Sequence, residues 1–158
     1  MSIGCRPMRA GEEEAVANML RKLPQSLGFD YVPKITSQSL RDNIELVNVT
    51  VAWDSGLLLG ACTWLITYSS NRGCRGMYVC DLYVMEHKRG SGIGEKLLRT
   101  SAKAAAKSGA QFIKLEASRA NDRPGKFYLK HQFHFSDDDR LMFLEPEDFI
   151  PFLERKLP

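Results

Sequence analysis

The chain has 158 residues, 44% of them hydrophobic and 26% charged, with a formal net charge of +3 at pH 7. This length supports one domain with its own core, so residues 1–158 are expected to form a single domain. A net charge this small does not indicate a nucleic-acid-binding protein and suits one that holds a single polyanionic small molecule.

No apolar run approaches the roughly 20 residues that span a bilayer, and the N-terminus lacks the pattern of a signal peptide. The four cysteines (Cys5, Cys62, Cys74 and Cys80) form no C-x-x-C pair. They are therefore expected to be reduced thiols in a cytoplasmic protein. The three histidines include only one close pair, so no metal site is predicted.

The first third of the chain predicts a strand and two helices. Residues 3–9 form a short strand, and Gly11 then opens a helix with acidic residues in its first turn and basic residues in its last. Pro24 is expected to end this helix. After an irregular stretch, a short second helix is predicted from Ser37 to Ile44.

The middle of the chain predicts an antiparallel meander. Residues 46–53 and 57–67 are strand-like and are joined by Asp54-Ser55-Gly56, which is a good hairpin signal. A polar, glycine-containing loop occupies residues 68–76, and residues 77–85 form the next strand.

After residue 85 the pattern changes. Apolar and small residues recur at helical spacing from Ile93 to Lys107, Gly109 closes this helix, and residues 112–117 form a strand. A strand–helix–strand unit implies a right-handed parallel crossover. Beyond it we expect a helix starting at Pro124.

The C-terminal part predicts strands at residues 133–135 and 140–144 and a last helix from Pro146 to Arg155. The expected fold class is therefore mixed α/β in one domain. Its central sheet is mostly antiparallel with one parallel crossover, and helices cover both faces.

The most informative stretch is the glycine turn that follows the strand ending at residue 85. Gly90, Gly92 and Gly94 alternate, and a helix begins immediately behind them. Unpaired N–H groups at such a turn, together with the positive end of the helix, form an anion site suited to phosphate. Arg89 adds a full positive charge.

Two common phosphate motifs do not fit this turn. A dinucleotide fingerprint requires a third glycine where this chain has Glu95, and a P-loop requires Gly-Lys-Ser/Thr where the chain has Gly94-Glu95-Lys96. A glycine-rich turn that binds nothing is the plain alternative.

The segment Arg89-Gly90-Ser91-Gly92-Ile93-Gly94 resembles the Arg/Gln-x-x-Gly-x-Gly/Ala motif of the GNAT superfamily of N-acetyltransferases, which binds the pyrophosphate of acetyl-CoA. The resemblance extends to Asp81-Leu82-Tyr83-Val84 before the turn, and to Asn121 and residues 127–133 (Phe-Tyr-Leu-Lys-His-Gln-Phe) after it. The order of predicted elements is also similar to the family's fold, so the resemblance covers essentially the whole chain.

The resemblance implies an acetyl-CoA-dependent enzyme without a metal. The turn would hold the pyrophosphate, the backbone of the preceding strand would pair with the pantetheine arm and polarise the thioester carbonyl, and one lysine could reach the ribose phosphate. Asn121 would hydrogen-bond pantetheine or substrate, although it also suits a turn or cap. The coenzyme-binding residues implied in this way are Leu82, Tyr83, Val84, Arg89, Gly90, Ser91, Gly92, Ile93, Gly94, Asn121 and Lys130.

Acetyl transfer also needs an acid for the departing thiolate and a base for the amine. Tyr128 is the predicted acid, because a phenol is protonated at neutral pH and the resemblance brings its hydroxyl near the thioester sulfur. A tyrosine that only packs its ring beneath the sheet is the alternative.

Asp81 is the predicted base, since burial would raise its pKa towards neutrality. A structural acid that pairs with an arginine or with the backbone is the alternative. In an ideal strand Cys80 and Asp81 point to opposite faces. If Cys80 faces the cleft, the base could be a remote carboxylate such as Glu116 acting through water. An acetyl-Cys80 intermediate is a less favoured route, because the superfamily mostly transfers directly.

Within the superfamily, the loop 68–76 and the strand after it resemble the diamine (spermidine/spermine) acetyltransferase group, which typically reads Tyr-Leu-Glu-Asp-Leu-Tyr-Val there. In this chain Cys80 replaces the glutamate, and Arg119-Ala120-Asn121 replaces Asp-Trp-Asn. A cation in place of an acid argues against a tightly held polyamine.

The predicted function is direct transfer of acetyl from acetyl-CoA to a primary amine of a small molecule: a polyamine-like compound, an amino acid or an aminoglycoside-type amine. A protein lysine or N-terminus is the alternative acceptor. A non-catalytic acyl-CoA-binding module is the alternative from another class. No nucleic acid or membrane partner is predicted, and a homodimer is the family expectation.

Overall fold

The computed structural model describes residues 3–118, 122–136 and 141–154. Its centre is a sheet of five strands in the order β1-β2-β3-β4-β5. The strands are β1 (Gly4–Pro7), β2 (Asn48–Asp54), β3 (Leu57–Ser69), β4 (Cys74–Val84) and β5 (Ala110–Leu115). Strands β1 to β4 pair antiparallel, and β5 pairs parallel to β4. This confirms the predicted mixed sheet with one parallel crossover.

The helices lie on both faces of the sheet, as predicted. They are α1 (Glu13–Leu20), α2 (Leu23–Ser26), α3 (Ser37–Asp42), α4 (Ile93–Lys107), α5 (Asp122–Lys130) and α6 (Pro146–Glu154). None of the helices in these ranges is both long and apolar enough to cross a bilayer. Pro24 does not end α1 but lies in the first turn of α2, where a missing N–H costs no helical hydrogen bond.

The sheet separates two apolar cores. Helices α1 and α3 pack on one face, against side chains such as Val51, Ala61 and Tyr83. Helix α4 packs on the other face, where Leu97 is fully buried. A Cβ at Gly60 would lie only 2.9 Å from Leu97 Cδ1 and 2.7 Å from Tyr83 O, so α4 can approach β3 only because this position is glycine.

Strand β4 carries one extra residue, Cys80. Asp81 pairs with Thr63, but the next pair joins Val79 to Trp64, so Cys80 has no counterpart on β3. Such a β-bulge resets the alternation of side chains and bends the strand. The reset is visible on the α4 face, which receives Met77 and Val79 before the bulge and Leu82 and Val84 after it.

The parallel pairing of β4 with β5 ends where this bulge begins. The last pair is Val79 with Leu115, which is also the last residue of β5. Strand β4 continues for another five residues, Cys80 to Val84, without pairing to β5. The edge of β4 from Cys80 to Val84 is therefore without a partner on β5, and this unpaired edge is called the gap.

The two strands predicted near the C-terminus are absent from the described residues. Residues 133–136 and 141–145 have no strand conformation, and residue 140 and the predicted turn at Asp137 to Asp139 lie outside the described ranges. Strand composition alone does not form a strand, because a strand also needs a ladder partner, and among the described residues 133–136 and 141–145 pair with no strand of the sheet.

Candidate active site

The glycine turn connects β4 to α4 and contains two residues in the left-handed conformation. After a short 3-10 turn at residues 86–88, Gly90 and Gly92 have φ angles of +78° and +82°, which are strained for residues with a side chain. Gly92 directly precedes Ile93, the first residue of α4, and no side chain caps this helix. The first N–H groups of α4 are thus left for an anion.

Arg89 ties this turn to the end of β4. Its Nε donates a hydrogen bond to the carbonyl oxygen of Val84 at 2.9 Å, and its guanidinium lies 5.4 Å from the centre of the Tyr83 ring. Ser91 has a local role, since its hydroxyl donates to the carbonyl oxygen of Lys88 at 2.6 Å. Arg89 therefore braces the turn as well as carrying charge.

The turn forms one wall of a cleft of about 420 Å³. Its other walls are the end of β4, α5 and α2. The residues with an implied coenzyme role that line it are Leu82, Tyr83, Val84, Arg89, Gly90, Gly92, Ile93, Gly94 and Lys130. Ser91 is not among the lining residues, and Asn121 lies outside the described residues. Most of the implied coenzyme residues thus share one cavity.

The cleft has further lining residues that the sequence did not single out. Leu23 and Ser26 come from α2, and Leu27 directly follows it, in a stretch where no separate helix was expected. Two cations, Lys88 and Arg123, join Arg89 and Lys130, which makes the cleft suitable for a polyanion. The proline at the start of α2 was the only local signal for that helix.

Tyr128 both packs its ring and faces the cleft. The ring centre lies 5.1 Å from that of Phe127 and 5.3 Å from that of Phe133, and Tyr128 lines the cavity. Burial raises the pKa of the phenol strongly, and negative charge on Cys62 and Asp81 adds to this. The hydroxyl therefore keeps its proton at any physiological pH, as a general acid requires.

Asp81 lies beside the gap between β4 and β5 and does not line the cleft itself. Its Oδ2 accepts a hydrogen bond from Thr63 Oγ1 at 2.6 Å. Burial raises the pKa of the carboxyl, and the hydrogen bond from Thr63 partly offsets this. In the part of the chain that the structure describes, no lysine or arginine forms an ion pair with Asp81.

The bulge corrects the expectation that Cys80 and Asp81 point to opposite faces. Both side chains contact Thr63, which belongs to the α1 face, because the strand does not alternate regularly here. Burial and the charge of Asp81 raise the pKa of the Cys80 thiol to about 11. Cys80 is thus a thiol at neutral pH and a poor nucleophile.

A second carboxylate joins this group from Glu116, the residue that directly follows β5. The hydroxyl of Tyr78 donates to Glu116 Oε1 at 2.9 Å. Burial, this hydrogen bond and the charges of Glu116, Cys80 and Asp81 raise the pKa of Tyr78 to about 12. These interactions define an acidic cluster, Tyr78, Cys80, Asp81 and Glu116, on the α1 face beside the gap. The charge of Asp81 also contributes to the raised pKa of Tyr128, which packs on the α4 face.

The site thus combines an anion-binding cleft, which Tyr128 lines, with a cluster that contains two carboxylates outside the cleft lining. A reagent held in the cleft and a cation held by the cluster could meet at the gap. Among the described residues, no group of three or more His, Cys, Asp and Glu side chains could hold a metal ion.

Comparison with known proteins agrees with this geometry. Three solved structures share the fold. An integron cassette protein, VCH_CASS6, from the mobile metagenome of V. cholerae has 21% identity and a TM-score of 0.80 over 98% of this chain and 99% of that one. A "predicted acetyltransferase with acetyl-CoA" from Clostridium acetobutylicum has 17% identity and a TM-score of 0.73 over 90% and 96%. A ribosomal-protein-alanine N-acetyltransferase from Brucella melitensis biovar Abortus 2308 has 17% identity and a TM-score of 0.72 over 90% and 100%.

The family model for the acetyltransferase (GNAT) domain matches residues 45–135, which is more than half of the chain and includes β2 to β5, the glycine turn and α5. The chain therefore belongs to the GNAT superfamily and is an N-acetyltransferase that takes its acetyl group from acetyl-CoA.

Proposed function

We propose that this enzyme transfers acetyl directly from acetyl-CoA to a primary amine of a small molecule. One observation carries the proposal: the glycine turn, the end of β4 and Tyr128 line a single cleft, and the charge of Asp81, on the same strand β4, raises the pKa of Tyr128. A donor and a cationic acceptor could therefore approach the same point from opposite faces of the sheet.

The donor would be held mainly by main-chain groups. The pyrophosphate would accept hydrogen bonds from N–H groups of residues 89–94, with Lys130 and the other cleft cations near the ribose phosphate. Leu82, Tyr83 and Val84 lie beyond the last β4–β5 pair, so their polar groups on that edge can pair with the pantetheine amides. One of these N–H groups would polarise the thioester carbonyl. Asn121 remains a proposed contact of pantetheine or substrate.

The acceptor would arrive as an ammonium ion, because primary amines have a pKa near 10. Asp81 would take the proton, and its raised pKa makes it a better base than an ordinary carboxylate. The amine nitrogen would then attack the thioester carbon, the C–S bond would break, and Tyr128 would donate its proton to the departing thiolate. Glu116, held by Tyr78, is the alternative base and would act through water.

The acidic cluster supports a cationic acceptor but does not choose among the polyamine-like, amino acid and aminoglycoside classes. The diamine acetyltransferase-like subgroup remains a proposal. Its glutamate is replaced by Cys80, and Glu116, directly after the neighbouring strand, offers a carboxylate instead. The Brucella neighbour acts on a ribosomal protein according to its name, so a protein N-terminus or lysine is the alternative acceptor.

The decisive experiment is an acceptor screen that follows CoA release with diamines, amino acids, aminoglycosides and lysine peptides in parallel. The proposal expects the highest kcat/KM with a small-molecule amine. Turnover of lysine peptides alone would favour the protein acceptor. Tight acetyl-CoA binding without turnover of any amine would favour an acyl-CoA-binding module.

We further propose that residues 1–158 act as one domain, in the cytoplasm, as a homodimer without nucleic acid or membrane partners. The four cysteines are all free, which suits a reducing compartment. The net charge of +3 is too small for nonspecific binding to nucleic acid. Apolar side chains exposed near the C-terminus support the homodimer.

A further inference from the structure

The helices of the α1 face cover only part of the sheet. Among the described residues, the core on that face has no member from β5 and none from β4 before Tyr83. The part of this face that the core leaves uncovered is called the open face, and it carries Tyr78, Phe112 and Lys114. Glu116 of the acidic cluster follows Lys114 by two positions, so the open face continues the cluster along the sheet. A molecule bound at the cluster can therefore extend across the open face.

The directions of these side chains follow from their neighbours. Tyr78 lies between two residues of β4 that pack in the core of the α4 face, and Lys114 lies between two residues of β5 that pack there as well. Because side chains alternate along a strand, Tyr78 and Lys114 point to the α1 face. They also pair across the two strands, so they lie side by side. Lys114 is exposed and Tyr78 is half-buried, which makes both accessible to a ligand.

The far end of the open face is formed by an aromatic ring and a second cation. The ring of Phe112 lies directly on the backbone of Gly76, where any side chain would collide with it. The guanidinium carbon of Arg72, in the β3–β4 turn, lies 4.8 Å from the centre of this ring. The ring thus holds a positive charge at this end by a cation–π contact.

The two ends of this surface carry opposite charge. Asp81 and Glu116 lie at one end, and Lys114 and Arg72 lie towards the other. Lys114 and Glu116 are two residues apart, yet within the described chain they form no ion pair with each other. Glu116 instead accepts the hydrogen bond from Tyr78 at 2.9 Å. The positive charge of Lys114 is therefore left for a ligand, about 7 Å along the sheet from the carboxylates, since two residues of a strand span that distance.

We propose that the acceptor is a primary amine that also carries a carboxylate several bonds from the nitrogen. Its ammonium group lies at the acidic cluster, and its carboxylate lies at Lys114 and Arg72, which offer charge-assisted hydrogen bonds. This inference rests on the proposed function and narrows the acceptor to the amino acid class. A diamine or an aminoglycoside would bring a further cation to Lys114, and the repulsion between like charges disfavours it.

The test compares three amines that share a chain of five methylene groups and differ only at the far end: 6-aminohexanoate, 1-aminopentane and 1,5-diaminopentane. Steady-state kinetics at saturating acetyl-CoA give kcat/KM for each. The wild type should prefer 6-aminohexanoate over 1-aminopentane by about tenfold or more, because hydrogen bonds between charged groups are worth that much. It should use 1,5-diaminopentane least well.

Two variants of the basic end test where this preference arises. Lys114→Ala/Arg72→Ala should bring the kcat/KM ratio of 6-aminohexanoate to 1-aminopentane close to one. The loss should appear as a higher KM for 6-aminohexanoate with kcat nearly unchanged, since the carboxylate is remote from the reacting carbon. Lys114→Glu should reverse the order, so that 1,5-diaminopentane becomes better than 6-aminohexanoate. Lys103→Glu is the matched control, because Lys103 is an exposed lysine of α4 on the opposite face, and it should keep the wild-type order.

Acetyl-CoA binding by each variant reports that the chain is folded. A wild type that uses 1,5-diaminopentane as well as 6-aminohexanoate, or a preference that survives both Lys114 variants, overturns this inference and leaves the proposed function in place. If an enzyme that binds acetyl-CoA turned over none of the three amines, the proposed function and this inference would both fail.

Discussion

The two sides of the site are built by different means. On the α4 face, the donor cleft depends on main-chain groups at the end of β4 and at the start of α4, and glycines create the backbone path between them. On the α1 face, the acidic cluster depends on side chains of β4, two of which a bulge brings to Thr63, and on Glu116, which directly follows β5. A motif that is contiguous in sequence thus builds the donor cleft. The acidic cluster, in contrast, forms only when the strands have paired in register.

The largest loss of acetyl-CoA binding is expected from changes to the backbone of the glycine turn, because main-chain groups build the donor side. Gly92→Val should abolish measurable acetyl-CoA binding, because a β-branched residue is strained at a φ of +82° and would displace the N–H groups of the turn. Calorimetric titration with acetyl-CoA measures this loss. Gly73→Val is the control, since Gly73 has a φ of +64° in the distant β3–β4 turn. The control should lose some stability and keep its affinity. Normal affinity in Gly92→Val would contradict the proposed donor site.

Among the side chains, Tyr128 should have the largest effect on kcat. Tyr128→Phe keeps the ring packing but removes the proposed acid, so kcat should fall by about 10²- to 10⁴-fold while the dissociation constant of acetyl-CoA stays within a few-fold. Steady-state kinetics and titration of the same preparation separate these effects. Tyr68→Phe, at a tyrosine 67% exposed on β3, should change neither. An unchanged kcat in Tyr128→Phe would remove the acid from the mechanism.

The pH dependence distinguishes the two carboxylates of the acidic cluster. If Asp81 is the base, kcat/KM rises with pH through its raised pKa, and Asp81→Asn should lose this rise and about 10²-fold in rate. Glu116→Gln should cost less than about tenfold and keep the rise. Thr63→Val removes the hydrogen bond that lowers the pKa of Asp81, so it should move the rise to higher pH. The reverse pattern would assign the base to Glu116.

Asp81 also links the site to stability. Its pKa is higher in the folded protein than in the unfolded chain, so the ionised carboxylate is disfavoured by folding. The carboxyl therefore stabilises the fold best below its unfolded pKa and loses that advantage as the pH rises through its folded pKa. Asp81→Asn should raise the free energy of unfolding at pH 7 relative to the wild type, with the gain vanishing near pH 3. Urea titrations at both pH values measure it.

The smallest effect is expected at Cys80. Its thiol has a pKa of about 11 and remains protonated at neutral pH, so Cys80→Ala should change kcat by less than about threefold. Intact-protein mass spectra after incubation with acetyl-CoA should show no acetyl group on the wild-type chain. An acetyl adduct that disappears in Cys80→Ala would instead favour a covalent intermediate.

The order of elements and the glycine turn could be predicted because their signals are local. Helix α4, the β2–β3 hairpin and the crossover all follow from periodicity and turn residues in neighbouring positions. The sequence also indicated the residues that line the cleft along β4 and the turn. It missed α2, because a four-residue helix that starts at a proline has no periodicity to detect.

The acceptor side could not be predicted, because a bulge is a mismatch between two strands and neither strand shows it alone. The ideal alternation assigned Cys80 and Asp81 to opposite faces, and the bulge brought both to Thr63. Likewise, the contact of Tyr78 with Glu116 joins residues that are 38 positions apart. The strand expected at residues 140–144 failed for a related reason, since no strand within the described chain pairs with it.

Because of the bulge, the presence of a residue at position 80 matters more than the side chain that it carries. The unpaired edge of β4 begins at Cys80, the residue of β4 that has no counterpart on β3. The gap beside β5 therefore depends on the number of residues in β4. Many side chains could therefore replace the thiol, whereas removal of the residue would join Val79 to Asp81 in a regular ladder, with both side chains on the faces that they already occupy, and would remove the bulge that bends the strand. The site thus tolerates substitution at a position where it cannot tolerate deletion.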